Sequence, residues 1–154
     1  MATADNYSLT ARPLWTFFGE TKLGHATCFF IQGEGGKERT GPLYLITNWH
    51  VVTGQDAITL ETLDTKTAGR PDSLTYRLFT YNGQPVETAV PLYRDGEPRW
   101  FVHPEFGRNV DMVAIPIDWP EKSVVFQPIN GLPETALQTR VGMDIFILGF
   151  PFEP

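Results

Sequence analysis

The chain has 154 residues, 42% of them apolar and 19% charged, which is enough for one well-buried core and excludes disorder over most of its length. Its net charge of −6 comes with acidic and basic residues mixed along the sequence, which excludes the basic footprint of a nucleic-acid or anionic-membrane binder. Cys28 is the single cysteine, which excludes a disulfide-built scaffold, and no apolar stretch approaches the roughly 18 residues of a bilayer span.

At the N-terminus, Met1-Ala2-Thr3-Ala4-Asp5-Asn6-Tyr7 has no charged-then-apolar leader pattern, so the chain reads as soluble and unexported, which points to the cytoplasm. Residues 1–13 read as an N-terminal arm. Short apolar or alternating runs follow, separated by Gly, Pro, Asn and Asp. They predict strands over Leu14 to Phe18, Gly24 to Gln32, Leu43 to Thr47, Ala57 to Leu63, Leu74 to Tyr81, Thr88 to Leu92, Arg99 to His103, Met112 to Ile117 and Asp144 to Gly149. Ile58 and Leu60 alternate with polar neighbours, as do Leu74, Tyr76 and Leu78, the period of two that a sheet with one wet face requires. Thirteen prolines and fourteen glycines argue against long helices. The one helix expected is a turn or two starting near Asn48 and passing through His50.

Turn chemistry punctuates these runs. Glu34-Gly35-Gly36-Lys37 predicts a hairpin tip, and Tyr81-Asn82-Gly83-Gln84 a tight turn at Asn-Gly. Residues 67–72 and 94–98 read as loops. A boundary is predicted at Trp119-Pro120-Glu121-Lys122, so that 14–118 form one all-β domain and 119–140 a linker. The last run, Val141 to Pro151 within segment 141–154, is apolar on both faces, as a strand inside a core would be. As an orphan strand it would expose an apolar edge, so 141–150 is expected to pack on its own domain or pair with a second copy as a homodimer.

Three segments carry chemistry. Gly41-Pro42-Leu43-Tyr44-Leu45-Ile46-Thr47-Asn48 leads an apolar strand into Trp49-His50-Val51-Val52. Val102-His103-Pro104 precedes Asn109-Val110-Asp111-Met112-Val113-Ala114-Ile115, and Val141 to Pro151 closes the chain. In this order they resemble the trypsin-like (chymotrypsin-fold) serine proteases, and the Thr-Asn-x-His-Val-Val form is most similar to bacterial trypsin-like peptidases. The resemblance spans roughly residues 22 to 151 with long unmatched inserts. It implies a six-stranded Greek-key antiparallel barrel, the first of two, followed by the linker and the first strand of a truncated second barrel. It implies His50 as general base and Asp111 as the carboxylate that orients it. A polypeptide is then the substrate, and the missing C-terminal barrel is the partner that supplies the rest of the site. Two departures stand out: Trp49 occupies a place where a small residue often precedes the histidine, and the stretch from Thr53 to Arg99 is long, implying enlarged surface loops.

The remaining residue types have plainer readings. Ser8 precedes both partners, Ser73 lies in a polar loop, and Ser123 has no flanking glycine, so none fits a nucleophile turn whose backbone N–H groups converge on an oxyanion. The chain alone is therefore expected to be inactive. Cys28, in an apolar run ahead of His50, reads as a core thiol. Asp118 competes with Asp111 but ends its strand. His103 reads as a loop residue and His25 as a strand-edge histidine. Three histidines without His-x-x-x-His or His-x-His spacing imply no metal site, and no cofactor is expected. The rival reading is a non-catalytic protease-like barrel that binds protein. A small structural barrel without protease ancestry is the third, and it would hold His50 and Asp111 far apart.

Overall fold

The computed structural model describes residues 6–34, 41–63, 69–132, 141 and 147–150. Among the described residues, ten strands run in chain order: β1 (Ala11–Phe18), β2 (Thr21–Gln32), β3 (Leu43–Thr47), β4 (Ser73–Thr80), β5 (Pro85–Pro91), β6 (Tyr93–Arg94), β7 (Glu97–Pro98), β8 (Phe101–Val102), β9 (Val113–Ile117) and β10 (Val124–Val125). One α-helix, α1 (Trp49–Thr53), interrupts them after β3 among the described residues. The fold is all-β and antiparallel, as composition and periodicity predict.

β1, β2 and β3 form a meander, and β4 returns to lie beside β1, which gives the spatial order 4-1-2-3 of a Greek key. The ladder continues from β3 through β9 to β8. On the other side, β5 pairs along nearly all of β4. β1 and β10 therefore share β4's opposite edge, at Ser73–Tyr76 and Phe79–Thr80 respectively. No ladder joins β5 to β8 among the described residues.

Alternation sorts one face inward. Leu74, Tyr76 and Leu78 of β4 are buried, as are Cys28 and Phe30 of β2 and Val113 and Ile115 of β9. The register sets Leu43 opposite Ile117, Leu45 opposite Ile115 and Thr47 opposite Val113, so each inward row continues across strands. Phe30 fills the centre, edge-on to both Tyr76 and Phe126 with ring centroids 5.4 Å apart in each case. Arg12 is buried without a carboxylate partner among the described residues; its Nη atoms donate to the carbonyls of Ser8, Ala11 and Val125 and so tie the N-terminal turn and β10 to β1.

Four expectations change. The strand predicted over Ala57 to Leu63 is a turn: Asp56 Oδ1 accepts the backbone N–H groups of Ile58 and Thr59 at 2.9 and 2.8 Å, and only an isolated bridge joins Gln55 to Thr62. A carboxylate that captures backbone donors competes with the ladder, and the alternation of Ile58 and Leu60 found no partner strand. Residues 94–97 form a hairpin between β6 and β7 rather than a loop, because Asp95 and Gly96 both take positive φ (54° and 84°), the conformation of a tight primed turn. β1 starts at Ala11, inside the segment read as an arm. The segment read as a linker contains β10, whose Val124 is buried, as is Phe126 just after it, so the core extends beyond residue 118. Of the long stretch from Thr53 to Arg99, much is β4 and β5, whose inward residues build the core. The hairpin tip at 35–37 and most of the candidate terminal strand lie outside the described residues. Of that strand, Phe150 donates its N–H to Thr27 Oγ1 at 2.7 Å.

Cys28 is fully buried, and desolvation pushes its thiol well above the ordinary 9.0 against the opposing field of Arg12. The folded chain thus keeps a proton that the unfolded chain releases above about pH 9. Stability accordingly falls as pH rises past that point, by about 1.4 kcal/mol per pH unit. Tyr76, raised chiefly by burial, adds to the slope only above about pH 10. Cys28→Ala is expected to flatten the fall between about pH 9 and 10 in urea melts, and an unchanged slope would assign it elsewhere.

Candidate active site

The pairing of β3 with β9 makes the site. Thr47 ends one strand opposite Val113, which starts the other. In an antiparallel pair the residues just beyond Thr47 must then meet those just before Val113. That brings residues 48–50 to Asp111. Thr47 is itself held by its hydroxyl, which donates to the carbonyl of Thr27 at 3.0 Å.

Helix α1 then fixes the direction of His50. Val52 and Thr53 are its buried residues, and Thr53 Oγ1 donates to the Trp49 carbonyl at 3.0 Å. The helix stops after a turn because Gly54 adopts a left-handed conformation (φ 67°) and returns its N–H to the His50 carbonyl at 2.9 Å. A side chain at Gly54 would be strained there, and its Cβ would stand 3.1 Å from the Gly69 carbonyl oxygen. With one side of α1 anchored, His50 projects from the other with 40% of its side chain exposed.

His50 and Asp111 are bound twice. Nδ1 of the ring lies 2.6 Å from Asp111 Oδ2, and the His50 backbone N–H donates to Oδ1 at 3.0 Å. A carboxylate offers only acceptors. In the neutral ring the proton therefore sits on Nδ1, and Nε2 carries the lone pair. Asn48 Nδ2 donates to the Asp111 backbone carbonyl at 2.9 Å and to Oδ2 at 3.3 Å. The Asp56 carboxyl is held below its ordinary range mainly by the N–H groups of Thr59 and Ile58, with a small contribution from His50; its oxygen is committed to its own turn.

His50 and Asn48, but not Asp111, line a cleft of about 400 Å3. Its walls include His25 and Thr27 of β2, Val51 of α1, and Leu63, Pro71 and Phe150. His25 thus lines the cleft rather than only an outer strand edge. Asp118 lines a separate cavity of about 320 Å3 beside β5, which removes it as a rival to Asp111. His103 belongs to a turn: its Nδ1 accepts the N–H groups of Glu105 and Phe106 at 3.2 and 3.1 Å. No serine or cysteine is among the described residues lining the cleft. Ser73 donates to Asp72 and Ser123 to Glu121, while the buried Cys28 keeps its proton. No group of three His, Cys, Asp or Glu residues is arranged to hold a metal ion among the described residues.

Sequence reasoning gave no role to Asn48, although it is part of the Thr47-Asn48-Trp49-His50 motif. The available signal was its position: an Asn directly before a helix usually caps it, and here its side chain makes no capping bond. Compared with family models, curated proteins and solved structures, the chain matches none.

Proposed function

We propose that this chain is the part of a trypsin-like serine endopeptidase that carries the general base and its orienting acid, His50 and Asp111. The observation that carries this reading is the doubly bonded pair, with Nδ1 at 2.6 Å from Oδ2 and the His50 N–H on Oδ1, on a histidine that lines the cleft and whose neutral ring then keeps Nε2 as its proton acceptor. That arrangement is what a base serving a hydroxyl nucleophile needs.

In this reading a serine hydroxyl and the oxyanion donors come from a second barrel, outside this chain, that closes over the cleft. The serine oxygen attacks a peptide carbonyl carbon while its proton passes to His50 Nε2. The tetrahedral intermediate collapses to an acyl-enzyme as the C–N bond breaks and Nε2 returns the proton to the leaving amine. Water then repeats the sequence on the ester, releasing the acid and the free serine. Asp111 keeps the tautomer throughout and stabilises the imidazolium that forms. The 154 residues alone provide base and acid but no nucleophile.

The test is a fluorophosphonate probe applied to the protein expressed from its whole reading frame and, in parallel, to these 154 residues. The expected result is one labelled serine in the former, abolished by His50→Ala, and no labelling in the latter. A wild-type protein that does not label would overturn the reading in favour of a protein-binding barrel. Stoichiometric labelling of Ser8, Ser73 or Ser123 would overturn the assignment of the nucleophile to a second barrel.

A further inference from the structure

The geometry points to Asn48 as the positioning residue for Asp111, an inference that rests on the proposed protease chemistry for its consequence but not for its geometry. Asn48 stands at the N-cap of α1 with φ −75° and ψ 151°, the backbone conformation from which an Asn side chain ordinarily turns back onto the helix N–H groups. It makes no such bond. Its amide points the other way, onto Asp111, at 2.9 Å from the backbone carbonyl and 3.3 Å from Oδ2. Both of those atoms are acceptors, so the orientation of the amide is fixed by its partners.

The value of this contact lies in its independence. The other two described donors to the Asp111 carboxylate, N–H and Nδ1, both belong to His50. Without Asn48, Oδ2 would be held only by the ring it must orient, and the His50 backbone N–H would hold Oδ1 alone. Asn48 holds Asp111 from a different side chain, at the carbonyl as well as at Oδ2, the oxygen that takes Nδ1. Asp111 is 35% exposed, so water competes for its oxygens, and a carboxylate released from Asn48 can turn toward solvent. The ring would then lose its fixed Nδ1–H tautomer. The capping bond that α1 forgoes is worth about 1 kcal/mol in an ordinary helix, an outlay that makes sense only if the amide acts elsewhere.

Asn48→Ser separates positioning from capping, because serine caps a helix as well as asparagine does but is too short to make the amide's contacts. In the Asn48→Ser variant, the thermal transition of the 154-residue chain is expected to stay within about 2 °C of wild type. Its His50 ring nitrogens, read by 15N NMR, are expected to lose the single Nδ1–H form. In the protein from the whole reading frame, fluorophosphonate labelling should slow by about 10²-fold, the scale of a small misplacement in a catalytic group. Asn48→Gln, which restores an amide one methylene longer, should recover part of the tautomer signal. An unchanged tautomer in Asn48→Ser, or a collapse of its thermal transition that makes the role one of fold, overturns the inference. Failure of the wild type to label overturns the protease reading instead, and leaves the tautomer result to stand on its own.

Discussion

In the protein from the whole reading frame, and on the proposed protease chemistry, Asp111→Asn is expected to slow His50-dependent fluorophosphonate labelling by about 10⁴-fold while leaving the fold intact. The size follows from the hydrogen-bond inventory of the two groups. Asn keeps one acceptor oxygen, which can still take the His50 backbone N–H now bound to Oδ1 at 3.0 Å. The other atom becomes an amide donor, facing Nδ1 where Oδ2 now stands at 2.6 Å. Two donors cannot share that bond, so the ring shifts its proton to Nε2. An Nε2–H ring has no lone pair with which to accept the nucleophile's proton. The stabilisation of the imidazolium by a nearby negative charge is lost in the same change. Asp111 is partly exposed, so the amide can be solvated, and circular dichroism and the thermal transition should stay close to wild type. A labelling rate within tenfold of wild type would mean that Asp111 does not set the tautomer.

The largest effect on stability is expected far from that pair. Phe30 is 1% exposed and is the one ring in edge contact with both Tyr76 of β4 and Phe126 beyond β10. It also lies opposite Leu45 of β3. Truncation to alanine removes the ring that packs β2 against Tyr76 of the returning strand and Phe126 of the segment after residue 118. Phe-to-Ala changes in packed cores cost about 3–5 kcal/mol, because the cavity only partly collapses. With an m-value of about 2 kcal/mol/M, a loss of about 4 kcal/mol lowers the urea midpoint by about 2 M. A shift below about 0.5 M would show that the core closes without this ring.

The parts of this fold that were legible in the sequence are those whose signal is local. Leu74, Tyr76 and Leu78 declared their face by alternation, and the Thr-Asn-Trp-His run after an apolar strand marked where β3 ends and a helical turn begins. Asp111 was legible because it stands two residues before the apolar strand β9. The parts that misled were decided by competition. The alternation at Ile58 and Leu60 matched a strand, but Asp56 supplied a nearer acceptor for the backbone N–H groups than any strand could. Arg94-Asp95-Gly96-Glu97 hid a hairpin because only the sign of two φ angles separates it from a loop. Val124-Val125 was invisible as a strand because its partner, Phe79-Thr80, is distant in sequence and its run is two residues long. The bond from Asn48 to Asp111 could not be read at all, since residue type fixed its capacity for hydrogen bonding and only the register of β3 on β9 fixed its partner.

The pairing of His50 with Asp111 is tested most directly by the protonation pattern of the His50 ring. The measurement is 15N NMR of the 154-residue chain, read on the neutral form of the ring and assigned by comparison with His50→Gln. The expected result is a single ring form with the proton on Nδ1 and a bare Nε2, lost in Asp111→Asn. A His50 ring carrying its proton on Nε2 in the wild type, unaffected by Asp111→Asn, would contradict it.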